Sequence, residues 1–255
     1  TELLLIGDTE EQVKVNLKQI QYAGLQKIAL NNLDITGDNS TALLTNSETA
    51  QLAVDAVIEL KKCNFTSMKT ICDWPSGDAN AQNLIAAMII DDCIFANMQN
   101  VFNDYVSKVI TITNSTLYNM TERAIYMKGT SAVILTVENC TLVDLGKTPF
   151  ESRATNGNLY YKNNISACFV TSSPNLAYKM NVKEFSGNYA AAVTEDGQLA
   201  VVNIHNKAVD TNNFPDAWTD TSKTVAELFE DAANGNFKLK MDAQVGDPRW
   251  YKNAQ

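Results

Sequence analysis

A short phrase that returns along the chain constrains its fold more than anything else: apolar-x-apolar, two residues, a small or thiol residue, one residue, then Phe, Leu or Ile. It reads Ile28-Ala-Leu30-Asn-Asn32-Leu33-Asp-Ile35, Ile58-Glu-Leu60-Lys-Lys62-Cys63-Asn-Phe65 and Met88-Ile-Ile90-Asp-Asp92-Cys93-Ile-Phe95. It continues as Ile110-Thr-Ile112-Thr-Asn114-Ser115-Thr-Leu117 and Leu135-Thr-Val137-Glu-Asn139-Cys140-Thr-Leu142, and degenerates at Leu159-Tyr-Tyr161-Lys-Asn163-Asn164. The closing apolar residues are spaced by 30, 30, 22 and 25. A period of roughly 20 to 50 residues marks a stack of units that bury their apolar faces against one another. One elongated domain is therefore expected for the 255 residues.

Within each phrase the leading apolar residues alternate, as in Ile58/Leu60 and Ile110/Ile112. That is the period-two signature of a strand with one face inside. The residue that follows, Asn32, Lys62, Asp92, Asn114, Asn139 or Asn163, falls where the strand must turn. Asn and Asp suit such a corner because they tolerate the left-handed region and bond their own backbone. A second short strand follows the corner. A third is expected at Ile71–Trp74, Val101–Asp104, Ala124–Met127 and Phe150–Arg153. Three short strands per repeat, with no helical pattern between them, predict an all-β, single-stranded parallel β-helix.

Coil length locates the loops. The shortest repeat is 22 residues, so the 30-residue repeats carry insertions at 75–83 and 39–51, and insertions in solenoids emerge on the surface. The organisation expected is a lead-in or first coil over 1–27, regular coils over 28–174, and irregular coils with a capping helix over 175–255. The helix rests on Val225, Leu228, Phe229 and Ala232 at i, i+3, i+4 and i+7, a capping box from Thr224 to Glu227, and a stop at Gly235. It is expected to cover the open end of the stack, where an uncapped edge invites aggregation. The segment Val245–Trp250 is expected to fold back onto the body.

The net charge of −9 argues against nucleic acid as a partner, since phosphate binding draws on clustered Lys and Arg. No run approaches the roughly 18 apolar residues of a membrane span. Thr1–Gly7 shows neither a charged leader nor a small-residue cleavage site. The five cysteines lack CxxC spacing and suggest neither a disulfide framework nor a zinc site. Cys63, Cys93 and Cys140 share one repeat position and read as a buried column.

Three stretches, Ile110–Asn119, Val137–Asp144 and the terminal Gly246-Asp-Pro-Arg-Trp250, resemble a family of exported Bacteroidetes proteins of unknown function. Members are pectin-lyase-like, right-handed β-helices associated with polysaccharide utilisation. The resemblance runs from about Tyr22 to Trp250. It implies the right hand of the coil, a secreted, periplasmic or cell-surface location and a carbohydrate connection, and it carries over no catalytic residues.

Two outward columns follow from the repeat. Lys61, Asp91, Thr113, Glu138 and Lys162 fall in register on the first strand and read as a solvated charge ladder at roughly 5 Å spacing. On the third strand Asp73, Asn103, Tyr126 and Glu151 form one column, with Lys128 and Arg153 two residues further on and Trp74 at one end. This mixture of planar polar groups with an apolar stacking face is the vocabulary of sugar binding, and the bland alternative is a polar surface with a Glu151/Arg153 pair. A glycosidase needs carboxyl groups about 5 to 9.5 Å apart, whereas Asp73 and Glu151 stand three coils apart, roughly 14 Å. A β-eliminating lyase would take Arg153, Arg123 or Lys128 as base, and no acidic cluster stands beside them.

Other signals are weaker. Asp73, Asp78 and Asn80 match no cation-loop spacing, so no metal or cofactor is expected. The sequons at Asn39, Asn64, Asn114, Asn119, Asn139 and Asn164 follow mostly from the repeat itself. His205, the only histidine, has no nucleophile motif attached to it. The leading reading is a non-catalytic, carbohydrate-binding β-helix with a polysaccharide or oligosaccharide partner. A pectin-lyase-type polysaccharide lyase and a structural or adhesive solenoid stand beside it.

Overall fold

The computed structural model describes residues 2–22, 24–46, 56–73, 85–103, 107–127, 133–152, 157–169, 175–178, 180–190, 203–204, 207–208, 218–220 and 223–254. Among these, nearly all regular structure is parallel β, in one eight-stranded and two nine-stranded sheets that share the coil. Each sheet takes one strand per coil. The first runs from Glu2–Ile6 through Lys27–Asn31, Val57–Lys61, Ile85–Asp91, Ser107–Thr113, Ile134–Glu138 and Gly157–Lys162 to Met180–Ser186. The second begins at Val13–Asn16 and the third at Ile20–Tyr22, so residues 2–22 contribute a strand to all three. The chain is a parallel β-helix.

The repeat phrase becomes columns of side chains inside the coil. Ile28, Ile58, Met88, Ile110, Leu135 and Leu159 are direct neighbours across successive strands of the first sheet. Phe65, Phe95, Leu117 and Leu142 do the same in the second. Leu44, Cys72, Phe102, Ile125 and Phe150 do so in the third. All of these are buried, and burying each large side chain contributes about 1.5 to 3 kcal/mol. Like packs on like: the rings of Phe65 and Phe95 stack at 5.1 Å and 11°.

The corner between the first and second sheets behaves as its residue types require. Asn32, Lys62, Asp92, Asn114, Asn139 and Asn163 have φ of 56°, 50°, 55°, 49°, 54° and 53°, and Gly187 continues the series at 66°. The left-handed region costs an ordinary L-residue free energy that Asn recovers by local hydrogen bonding. Here the amides also bond along the stack. Asn163 Nδ2 donates to Asn139 Oδ1 at 2.6 Å, Asn139 Nδ2 to Asn114 Oδ1 at 3.3 Å, and Asn114 Nδ2 to Asp91 Oδ1 at 2.8 Å.

Just past the corner, the cysteine column extends further than its cysteines. Cys63, Cys93, Ser115, Cys140, Asn164 and Asn188 are all fully buried. Each thiol donates to the carbonyl two residues earlier, for example Cys63 Sγ to the Lys61 oxygen at 3.1 Å. The asparagines replace this with a stronger pairing: Asn164 Oδ1 accepts from the Cys140 N–H at 2.8 Å, and Asn188 Oδ1 from the Asn164 N–H at 2.8 Å. Asn164 is therefore no degenerate end of the repeat. It satisfies the buried Cys140 N–H and, through Nδ2 at 2.9 Å, the Val137 carbonyl, groups that would otherwise cost about 1 to 3 kcal/mol each.

The C-terminal helix is one turn, Val225–Leu228, closed by the expected capping box of Thr224 and Glu227. The amphipathic spacing suggests a longer helix. Instead Phe229 turns extended, and Phe229–Asp231 pairs antiparallel with Asn236–Leu239. This unit lies on the flank of the second sheet rather than over the open end of the stack. Leu228, Phe229, Phe237, Leu239 and Val245 pack with Val143, Ile165 and Ala167, flanked by Tyr118, Tyr189 and Trp250. The physical reason is that these outward residues of the second sheet are themselves apolar and need a cover.

The closing Gly-Asp-Pro-Arg-Trp is the clasp of that cover. Gly246, at φ 76°, donates its N–H to the Asn163 carbonyl at 2.9 Å. A Cβ there would meet Thr141 Oγ1 at 2.6 Å, so only glycine fits. The buried Asp247 carboxylate accepts from Thr116 Oγ1 at 2.7 Å and from Arg249 Nε at 3.0 Å. Arg249 Nη2 goes on to Asp92 Oδ1 at 2.7 Å, and Trp250 Nε1 donates to Thr116 Oγ1 at 2.7 Å. Burial pushes the Asp247 carboxyl up to about 6, although the Arg249 guanidinium pulls the other way.

Candidate functional site

The third sheet carries the outward column on which the sequence reading centres. Its register makes Asn103 the direct neighbour of both Asp73 and Tyr126, and Tyr126 the neighbour of Glu151. The alternation that buries Phe102, Ile125 and Phe150 turns Asn103, Tyr126 and Glu151 outward, where they are half-buried. Trp74, Lys128 and Arg153, and the side chain of Asp73, lie outside the described residues, as do Asp78, Asn80 and His205.

Glu151 has an ion-pair partner within the described residues, and it is Arg123. Arg123 Nε lies 2.6 Å from Glu151 Oε2, with both side chains mostly buried. The same guanidinium sits 4.6 Å from the centre of the Tyr126 ring, a cation–π stack. Arg123 Nη1 reaches Glu122 Oε2 at 3.4 Å, Glu122 Oε1 accepts from Lys147 Nζ at 2.6 Å, and the Arg123 backbone N–H donates to Asn100 Oδ1 at 3.2 Å. The result is a braced patch in which a planar cation is fixed between a phenol face and two carboxylates.

Glu122, Lys147 and the pairing of Arg123 with Glu151 are absent from the sequence reading, which offers Arg123 only as a base, and one available signal points to part of them. Glu122 and Lys147 are 25 residues apart, the same interval that separates Leu117 from Leu142. They are stacked neighbours in the corner between the second and third sheets, where the strand-based columns do not extend.

The geometry limits the chemistry. In this register Asp73 and Glu151 are three strand spacings apart, roughly 14 Å, beyond the separation of a hydrolytic carboxylate pair. The closer pair, Glu122 and Glu151, is tied to Arg123 on both sides. Arg123 itself is committed to these carboxylates rather than poised as a base. Among the described residues no group of three or more His, Cys, Asp or Glu side chains is gathered as a metal site would need, and no helix is long and apolar enough to cross a membrane.

The first-sheet column is also in register, from Lys61 through Asp91, Thr113 and Glu138 to Lys162, but its pairing differs from a simple ladder. Lys61 bonds Glu59 on its own strand at 2.6 Å, and Lys27 joins them at 2.9 Å. Hydrogen bonds from these two ammonium groups hold the Glu59 carboxyl below the usual range. Asp91 accepts instead from Thr113 Oγ1 at 2.7 Å, and Glu138 pairs loosely with Lys162 at 3.6 Å. The stack is bridged by three of these contacts, and only Lys61 turns to a partner on its own strand.

This architecture defines the chain as a parallel β-helix with a laterally clasped C-terminal tail. No protein-family model and no curated protein matches it.

Proposed function

We propose that the protein is a non-catalytic carbohydrate-binding β-helix of polysaccharide utilisation, exported to the cell envelope or beyond, which grips a glycan along the outward stripe of its third sheet. The observation that carries the reading is the in-register run of Asn103, Tyr126 and Glu151, with Arg123 clamped over the ring. Successive coils present polar groups about 4.8 Å apart, so a repeating polymer meets a repeating surface. The fixed guanidinium and the amide supply directional hydrogen bonds, and the aromatic edge supplies apolar contact. Asp73, Trp74, Lys128 and Arg153 extend the stripe in sequence.

Calorimetric titration with a panel of plant and host polysaccharides tests this. Binding to at least one glycan, weakened about tenfold or more by Tyr126→Ala or Asn103→Ala, supports the reading. Absence of binding to every glycan in the panel overturns it. Release of ultraviolet-absorbing unsaturated products from polyuronates, abolished by Arg153→Ala, would replace it with β-elimination.

A further inference from the structure

The docked tail creates a cleft that the coil alone does not possess. Between the second sheet and the turn Ala232–Gly235 lies a space of about 360 Å3, in the size range of small-molecule sites. One rim is a comb of polar side chains from three successive coils, Asn97, Asn119 and Asp144. All three are exposed and sit at a second left-handed corner, with φ of 55°, 51° and 53°. The floor is apolar, built from Tyr118 and Val143 over the buried Phe237, whose ring meets that of Tyr118 edge-on at 5.0 Å. Gly235 shapes the far wall: a Cβ there would stand 3.0 Å from the Tyr118 hydroxyl.

We propose that this cleft is a second binding site, for a neutral pyranose unit such as the end of a glycan chain. The inventory of donors and acceptors specifies the ligand. The oxygens of the Asp144 carboxylate are acceptors, so its partner must bring hydroxyl donors. Asn119 Nδ2 donates to Asn97 Oδ1, which leaves the Asn97 amide hydrogens and the Asn119 carbonyl for an incoming hydroxyl that both donates and accepts. Among the described residues no Lys or Arg lines the cleft, so a uronate or a phosphate would meet Asp144 with no cation from them to offset it. A polyol ring with one apolar face fits both the comb and the Tyr118/Val143 floor. The site lies on a different sheet from the Tyr126 stripe and does not depend on the reading of that stripe.

The test is a two-dimensional amide NMR titration of the full chain with gluco-, manno-, galacto- and xylo-oligosaccharides, and separately with oligogalacturonate. The expected result is saturable shifts at Asn97, Tyr118, Asn119 and Asp144 with at least one neutral sugar, and none there with oligogalacturonate. The exposed substitutions Asn119→Gly and Asp144→Gly, combined, remove both side chains while tolerating the left-handed corner, and are expected to weaken that binding about tenfold or more, with the rest of the spectrum unchanged. No shift at these residues with any neutral sugar overturns the proposal. So does equal binding of oligogalacturonate, or binding that survives the double substitution. Shifts confined to Asn103 and Tyr126 would uphold the stripe and refute the cleft.

Discussion

The outer faces of the second and third sheets are built from the same coils, yet one is covered by the chain's own tail and the other presents a braced polar patch. Along the second sheet one outward column begins polar and becomes apolar further on. Thr36 and Thr66 give way to Ala96, Tyr118, Val143 and Ala167 in direct succession. The tail docks where that change has occurred. The third sheet turns out Asn103, Tyr126 and Glu151, and Arg123 is folded in to meet them. Whether a flank of this coil is sealed by its own chain or presented to solvent thus depends on which residue types fill one outward column.

That contrast is broken most severely from the covered side. Phe237→Ala removes a fully buried ring that touches Tyr118, Phe229 and Trp250. A loss of about 3 to 5 kcal/mol is expected, measured as a lower urea midpoint together with early proteolytic release of the tail. An unchanged midpoint would mean that the tail contributes nothing to the stability of the coil.

The pH dependence of the clasp comes next. The Asp247 carboxyl, ordinarily near 3.8, is raised to about 6 in the folded chain, so the folded state holds a proton that the unfolded state releases. The contribution is fully present below the unfolded value and is lost as pH rises through the folded one. Integrated over that window it amounts to about 3 kcal/mol. Urea unfolding between pH 4 and 7.5 is expected to show this decline in the wild type, on top of the background from other groups, and Asp247→Asn is expected to flatten it. A wild-type profile that instead rises across the same window because of Asp247 would mean that Arg249 dominates over burial.

On the third sheet, Glu151→Gln removes one charge of the Arg123 pair. The pair is mostly shielded from solvent, and about 1 to 3 kcal/mol is expected, with the loss reduced in high salt. A salt-independent effect would point to packing against Tyr126 instead. The smallest effect belongs to the first sheet. Glu138 and Lys162 are 3.6 Å apart and substantially exposed, so Lys162→Ala is expected to change stability by less than about 1 kcal/mol. Thermal melts of the two variants side by side rank the flanks.

The coil is legible in the sequence because each of its rules acts locally and repeats. Ile58/Leu60 alternates, Lys62 turns, Cys63 and Phe65 point in, and the next coil does the same. Asn164 escapes that reading because asparagine has two roles here, left-handed corner and buried amide ladder, one position apart in Asn163 and Asn164. The Arg123 cluster escapes because it is built in a corner, where strand alternation assigns no direction. The docking of the tail is the least legible feature: Tyr118, Val143 and Ala167 pass individually as ordinary outward residues, and only their succession in one column shows an apolar strip. The stripe of Asn103, Tyr126 and Glu151 is legible as geometry, since the coil length alone places its members side by side.

The clasp has a mechanical consequence. Its bonds reach Asp92, Asn114 and Thr116, Thr141, and Asn163, which belong to four consecutive coils. A solenoid held only by nearest-neighbour contacts unzips one rung at a time from either end. Here a strut riveted across four rungs makes them yield together or not at all. The ladder is stiffened in its middle, and the coil over residues 2–22, whose Leu3, Leu5, Val13 and Val15 are only half-buried, lies beyond the reach of that strut.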